Sequence, residues 1–243
     1  MMDWPFLRDT FIVLLEKVPL TLNLAFMSLG MGGGLGMILA FMRLSGNKVA
    51  AALASTYLFV LRGTPLLVQI FLIYYGLGQF RQVLEGLHLW GFFREPYWCA
   101  ILALTLNTAA YASEIFRGGV LSVPHQAIEA ARSCGMSGFV LVRRIVAPLA
   151  LRNALPAYSN EFILMIKATS LASIITLMEV TGTAAKLIAE TFRTIEIFVV
   201  AGFIYLSINF VVTRVFMAIE WRLSRHRRNA AKIVTTKVGV VHA

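Results

Sequence analysis

Residues 122–135 read Ser122-Val-Pro-His-Gln-Ala-Ile-Glu-Ala-Ala-Arg-Ser-Cys-Gly135 and run on to Arg143, Arg144, Ile145 and Pro148, with long apolar runs on either side. The stretch is polar, basic and helical by pattern. Pro124 suits a first helical turn, Ala130 and Ala131 are strong helix formers, and Gly135 fits a C-terminal cap. Ser137 suits the cap of a second short helix, which Pro148 is expected to stop. The reading is two short helices meeting at a glycine elbow. The two alanines beside Glu129 leave a low surface for close packing by another protein, and the arginines assign that surface to the cytoplasmic side.

Composition sets the class around this stretch. With 243 residues, 58% hydrophobic and 14% charged, the chain is too apolar for a soluble domain and reads as an all-α, multi-pass membrane protein. Its formal charge of +10 lies between apolar runs and at the tail. The positive-inside rule accounts for that distribution, so nucleic acid is not an expected partner and the lipid bilayer is. Cys99 falls on a span and Cys134 on a cytoplasmic loop, which argues against a bridge. His88, His125, His226 and His242 lack ligand spacing, so no metal site is expected. The N-terminus lacks the positive region of a signal peptide and should stay attached.

Five spans are expected, at about 20–42, 53–78, 97–116, 157–180 and 197–219. Residues 1–19 form an N-terminal periplasmic or interfacial segment, with an amphipathic helix over 6–18 lying at the membrane surface. The membrane domain covers 20–221, its long cytoplasmic connection lies at about 117–156, and 222–243 form a basic cytoplasmic tail. Arg43 and Lys48 put the first connection inside. The N-terminus is then periplasmic and the C-terminus cytoplasmic. Gly30, Gly32, Gly33, Gly34 and Gly36 in the first span read as small residues that let helices approach closely. In the second, Arg62-Gly63-Thr64-Pro65 interrupts the apolar run, and Pro65 suits a kink. Residues 79–96 and the connection holding Lys186, Glu190, Arg193 and Glu196 are charge-balanced, as external loops are.

Polar residues inside spans are the functional candidates. Asn107, Tyr111 and Glu114 follow one another at spacings of four and three, on one helix face. Glu114 is either part of a path through the bundle or a partner of Arg117. In the fourth span Asn160, Glu161, Lys167, Thr169 and Ser170 stand out. Lys167 is about 240° round from Glu161, so the two cannot pair on their own helix. Glu161 therefore meets a cationic ligand or a structural partner such as Arg62 or Arg152.

The order Glu129-Ala130-Ala131, three residues, Gly135, nine residues, Ile145, two residues, Pro148 resembles the signature loop of ABC-importer permeases. Gln126-Ala127 and Ala147 depart from the usual Gly-Gln and Leu of that loop, and neither removes the elbow. Arg62-Gly-Thr-Pro-Leu-Leu-Val-Gln69 with Tyr74-Tyr75-Gly76, Thr105-Leu-Asn-Thr-Ala-Ala-Tyr-Ala-Ser-Glu114, Leu155-Pro-Ala-Tyr-Ser-Asn-Glu161 and Thr169-Ser-Leu-Ala-Ser173 resemble the polar-amino-acid branch. Within it the likeness is to the M-type subunits of histidine, basic amino acid or opine uptake systems.

The resemblance implies a five-helix permease fold whose loop forms a coupling helix, with Glu129, Ala130, Ala131, Gly135, Ile145 and Pro148 docking in a cytoplasmic ATPase. It implies two copies of that ATP-binding subunit, a Q-type second permease as heterodimer partner, and a periplasmic binding protein. This chain would bind no cofactor, since ATP and Mg belong to the ATPase, and it would be no enzyme itself. The rival reading is an ion-coupled secondary amino acid transporter, whose usual inverted repeats are not visible here.

Overall fold

The computed structural model describes residues 3–223, and the elements among them are all helical. The chain begins with α1 (Trp4–Leu15), α2 (Val18–Leu44) and α3 (Lys48–Gly63). Next come α4 (Leu66–Phe71), widened by a π-turn over Leu72–Gly76, then the short α5 (Arg81–Gly86) and α6 (Trp90–Phe93). The long α7 (Pro96–Leu121) leads to α8 (His125–Ser133) and α9 (Gly138–Leu141), and a π-turn over Val142–Val146 joins α9 to α10 (Ala147–Ala168). A 3₁₀ turn (Thr169–Ile175), α11 (Val180–Thr191) and α12 (Thr194–Leu223) complete the order. Three segments, Trp4–Leu44, Pro96–Leu121 and Thr194–Arg222, are long and apolar enough to cross a membrane singly, and two bent pairs raise the number to as many as five.

α2, α7 and α10 form the centre, around Leu24, Leu29, Ile101, Leu104, Met165 and Ile166. Glycines set how close they come. Gly32 and Gly36, one turn apart on α2, face Thr108 and Ala112, one turn apart on α7. A Cβ added at Gly36 would stand 2.6 Å from that of Ala112, and one at Gly32 2.7 Å from that of Thr108. Van der Waals packing of this kind drives helix association where lipid supplies no hydrophobic contrast. Gly33 lies against the Tyr158 hydroxyl, which donates to the Leu29 carbonyl at 2.8 Å. Gly30 and Gly34 meet nothing, so three of the five expected packing glycines do that work.

The first bent pair is α3 and α4, which meet at 102° across Thr64 and Pro65. Proline has no N–H to continue the ladder, and carbonyls at the end of α3 are left without partners. Gln69 supplies them. Its Nε2 donates to the carbonyls of Leu61 at 2.7 Å and Thr64 at 3.1 Å, and to Thr64 Oγ1 at 2.9 Å.

Packing and helix bounds sharpen the expected layout. The N-terminal helix packs against the bundle. Leu14 is fully buried with Val180, Ala184 and Ile197 of α11 and α12, and Asp3 pairs with Arg193 at 3.1 Å. Residues 180–191 are α11 and not a loop, because Glu179 caps that helix and Val180 and Ala184 place one face in the core. Within the long connection, α7 runs to Leu121 and α10 begins at Ala147. The tail from residue 224 lies outside the described residues.

Candidate coupling and translocation sites

The elbow is built from the backbone outward. Gly135 has φ +81°, the left-handed region that glycine enters without penalty. Met136 N–H donates to the Ala131 carbonyl at 3.0 Å and Gly135 N–H to that of Arg132 at 2.9 Å, the paired bonds of a Schellman cap. α8 begins one residue later than expected, with Pro124 at its cap position. Glu129 is exposed and pairs with His125 at 3.0 Å. Ala130 is exposed, but Ala131 turns inward, buried to 6%, so only one alanine contributes to the outer surface. Phe139, 75% exposed, does contribute, and its position in an apolar run gave no sign of that.

Pro148 does not stop the second helix. The Ala147 N–H reaches back five residues to the Val142 carbonyl, and this wide turn comes immediately before the proline, where the ordinary ladder must lose a bond. α9, the π-turn and α10 therefore form one continuous lever from Gly138 into the bundle. Ile145 is half-buried on that lever and Pro148 exposed. Ser137 occupies the cap position of α9 without a side-chain bond to it.

Asn107, Tyr111 and Glu114 do share a face of α7, and they do different things there. Asn107 is buried and donates to Gln69 Oε1 at 3.2 Å, holding the amide that caps the broken helix. Tyr111 and Glu114 border an open cavity of about 430 Å³ with Arg43, Ser55, Phe59 and Arg62. Glu114 Oε1 lies 2.8 Å from Arg43 Nη1 and 3.3 Å from Arg62 Nη1; the partners come from α2 and α3, not from Arg117. Arg62 also lies over the Tyr111 ring, 5.3 Å from its centroid.

On α10, Glu161 is 8% exposed and has no ion pair or hydrogen bond among the described residues. Arg62 pairs with Glu114, and neither it nor Arg152 forms an ion pair with Glu161. Asn160 and Lys167 are exposed, and Lys167 borders a second cavity with Ser170, Thr181 and Tyr205. Thr169 is buried and donates to the Ile166 carbonyl at 2.7 Å, while Ser170 donates to that of Lys167 at 2.6 Å. Both hydroxyls thus serve the 3₁₀ turn. The described residues contain no cluster suited to a metal ion, and Cys99 and Cys134 are free.

Sequence reasoning missed Glu179, which is fully buried. It accepts from Thr181 N–H at 2.9 Å, Gly182 N–H at 2.8 Å and the Tyr205 hydroxyl at 2.8 Å. A carboxylate two residues before an alternating Thr-Gly-Thr run is a visible cap signal. Gly182 is required there, because a Cβ would strike the Leu177 carbonyl.

The profile of a family described as "Binding-protein-dependent transport system inner membrane component" matches residues 32–225. The chain belongs to this family. It is therefore the multi-pass inner-membrane permease component of an ABC importer, which works with substrate-binding and ATP-binding partners. It is 56% identical over 229 residues to the octopine transport system permease protein OccM of Rhizobium meliloti, covering 94% of this chain and 93% of that one. The nopaline transport system permease protein NocM of Agrobacterium fabrum is 54% identical, covering 99% and 100%. A crystal structure of an amino acid ABC transporter with histidines superposes with a TM-score of 0.81 at 32% identity, over 91% of this chain and 99% of that one. These likenesses favour the importer over an ion-coupled secondary transporter.

Proposed function

We propose that this permease carries a cationic amino acid or an opine inward across the membrane, by alternating access driven through the elbow. The observation that carries the substrate class is Glu161, a buried carboxylate without a partner among the described residues. An unpaired charge inside a membrane domain is expensive and marks a position where a cation or water must come. Asn160, Lys167, Thr169 and Ser170 on the same arm, and Asn107, Tyr111 and Glu114 on α7, complete the proposed path. The relatives that transport octopine and nopaline are nearly equal in identity, which supports the opine class without choosing between the two.

The coupling residues are Glu129, Ala130, Ala131, Gly135, Ile145 and Pro148, with Phe139 added. They face two ATP-binding subunits on the cytoplasmic side, where ATP and Mg are bound. The N-terminus is periplasmic, the C-terminus cytoplasmic, and the second permease is a Q-type subunit. A continuous helix from Gly138 into the core supports this reading, because a displacement at the elbow is passed to α10 without an intervening loop.

The test is uptake by the complex reconstituted in vesicles with its binding protein. Arginine, octopine or nopaline should enter on ATP addition and not on an ion gradient. Gly135→Asp, which puts a side chain at positive φ at a cost of about 1 kcal/mol and a charge on the docking surface, should insert normally and abolish ATP-driven uptake. Uptake that follows an ion gradient, or full transport by that variant, would overturn the proposal. A cysteine label at Ser137 that reacts from the periplasm would invert the orientation.

A further inference from the structure

The cavity between α2, α3 and α7 carries a charge set that the fold does not use up. Two guanidinium groups, Arg43 and Arg62, converge on a single carboxylate oxygen of Glu114. The Arg43 side chain is largely buried, 17% exposed, with its Nη1 2.8 Å from Glu114 Oε1. Arg62 is more open, its side chain 43% exposed, with its plane over the Tyr111 ring. Two guanidiniums against one carboxylate leave net positive charge beside a cavity of about 430 Å³, within the usual ligand range of about 300–1,000 Å³.

We infer that this cavity binds the head of an N-(carboxyalkyl) amino acid, with Arg43 and Arg62 taking its carboxylates and Glu114 its secondary ammonium. The charge pattern decides the class. A plain amino acid head carries one carboxylate and one ammonium, and leaves a guanidinium unmatched. An opine head carries at least two carboxylates about one ammonium, the inverse of two guanidiniums about one carboxylate. Guanidinium and carboxylate pair by parallel charge-assisted bonds, which makes arginine selective for such groups. An anionic phosphodiester would satisfy the arginines but offers no donor to Glu114. The inference rests on the opine reading above, but Glu161 is on α10, outside this cavity, so each can fail alone.

The experiment is equilibrium binding of radiolabelled octopine and of arginine to the detergent-solubilised complex freed of its binding protein. It is run on the parent, Arg62→Gln and Arg62→Lys, beside vesicle uptake and thermal stability. Arg62→Gln should weaken octopine binding by about ten-fold or more, the scale of one lost charged hydrogen bond, and arginine binding by clearly less. Arg62→Lys should restore part of the loss with the complex intact. If the parent binds octopine alone, loss in Arg62→Gln still supports the site and unchanged binding overturns it. Equal weakening of both ligands also overturns it, as does a parent that transports octopine but binds neither compound. A parent that transports neither compound overturns the opine reading itself.

Discussion

Glu161 and Glu179 are both carboxylates buried in the membrane domain, and they are treated in opposite ways. Glu179 sits at the start of α11 with two backbone N–H groups and a tyrosine hydroxyl on its oxygens. Glu161, on α10, has none of these. A buried acceptor with several donors is structure, because its desolvation is offset by bonds that also fix a helix end. A buried acceptor without donors stabilises nothing, and its presence calls for a partner from outside the described residues. The contrast separates a fold residue from the residue proposed for transport without reference to any relative.

One substitution made at both positions sharpens the contrast. Glu179→Gln keeps shape but leaves a single acceptor oxygen, and its NH₂ would face the N–H groups of α11. The loss of a capping bond and a charged bond predicts destabilisation of about 2–3 kcal/mol, with poor recovery of assembled complex and a lower melting temperature in detergent. Normal assembly and melting would mean that Glu179 is not the anchor of α11.

The same change at Glu161 should not destabilise, because removing an unpaired charge from the interior relieves desolvation. Its effect falls on transport. Uptake of a cationic substrate should drop about ten-fold, equivalent to about 1.4 kcal/mol, with little change for an uncharged one. Equal loss for both substrates together with poor assembly would give Glu161 a structural partner in a neighbouring subunit, and the contrast with Glu179 would collapse.

The membrane class, the glycine packing of α2, the break at Pro65 and the elbow at Gly135 were legible because each rests on local chemistry. A proline lacks a donor and a left-handed turn wants glycine wherever they occur. What the sequence hid is where distant segments meet. Arg43 and Arg62 lie far from Glu114 in the chain, so spacing offered only Arg117. Pro148 was misread for a related reason: a π-turn absorbs its defect, and the choice between stopping and widening depends on packing beyond the local pattern. The capping role of Gln69 is visible only once the break it fills is in view.

The smallest predicted effect tests the Glu179 network from its other end. Tyr205 donates to Glu179 and lies 3.0 Å from the Thr181 hydroxyl, so Tyr205→Phe removes one donor and leaves both backbone bonds of the cap in place. Hydrogen bonds within membrane proteins average about 0.6 kcal/mol and reach about 1.7; a charged acceptor places this one in the upper part, at about 1 kcal/mol. Tyr205→Phe should therefore lower the melting temperature less than Glu179→Gln and leave substrate selectivity unchanged. The double substitution decides whether the two residues act together. Much of what Tyr205 contributes disappears once Glu179 is neutral, so the combined loss should fall short of the sum by about 0.5 kcal/mol or more. Strict additivity would mean that the tyrosine serves Thr181 alone. Glu179 would then be held by the helix end, and its distinction from Glu161 would rest on two backbone bonds.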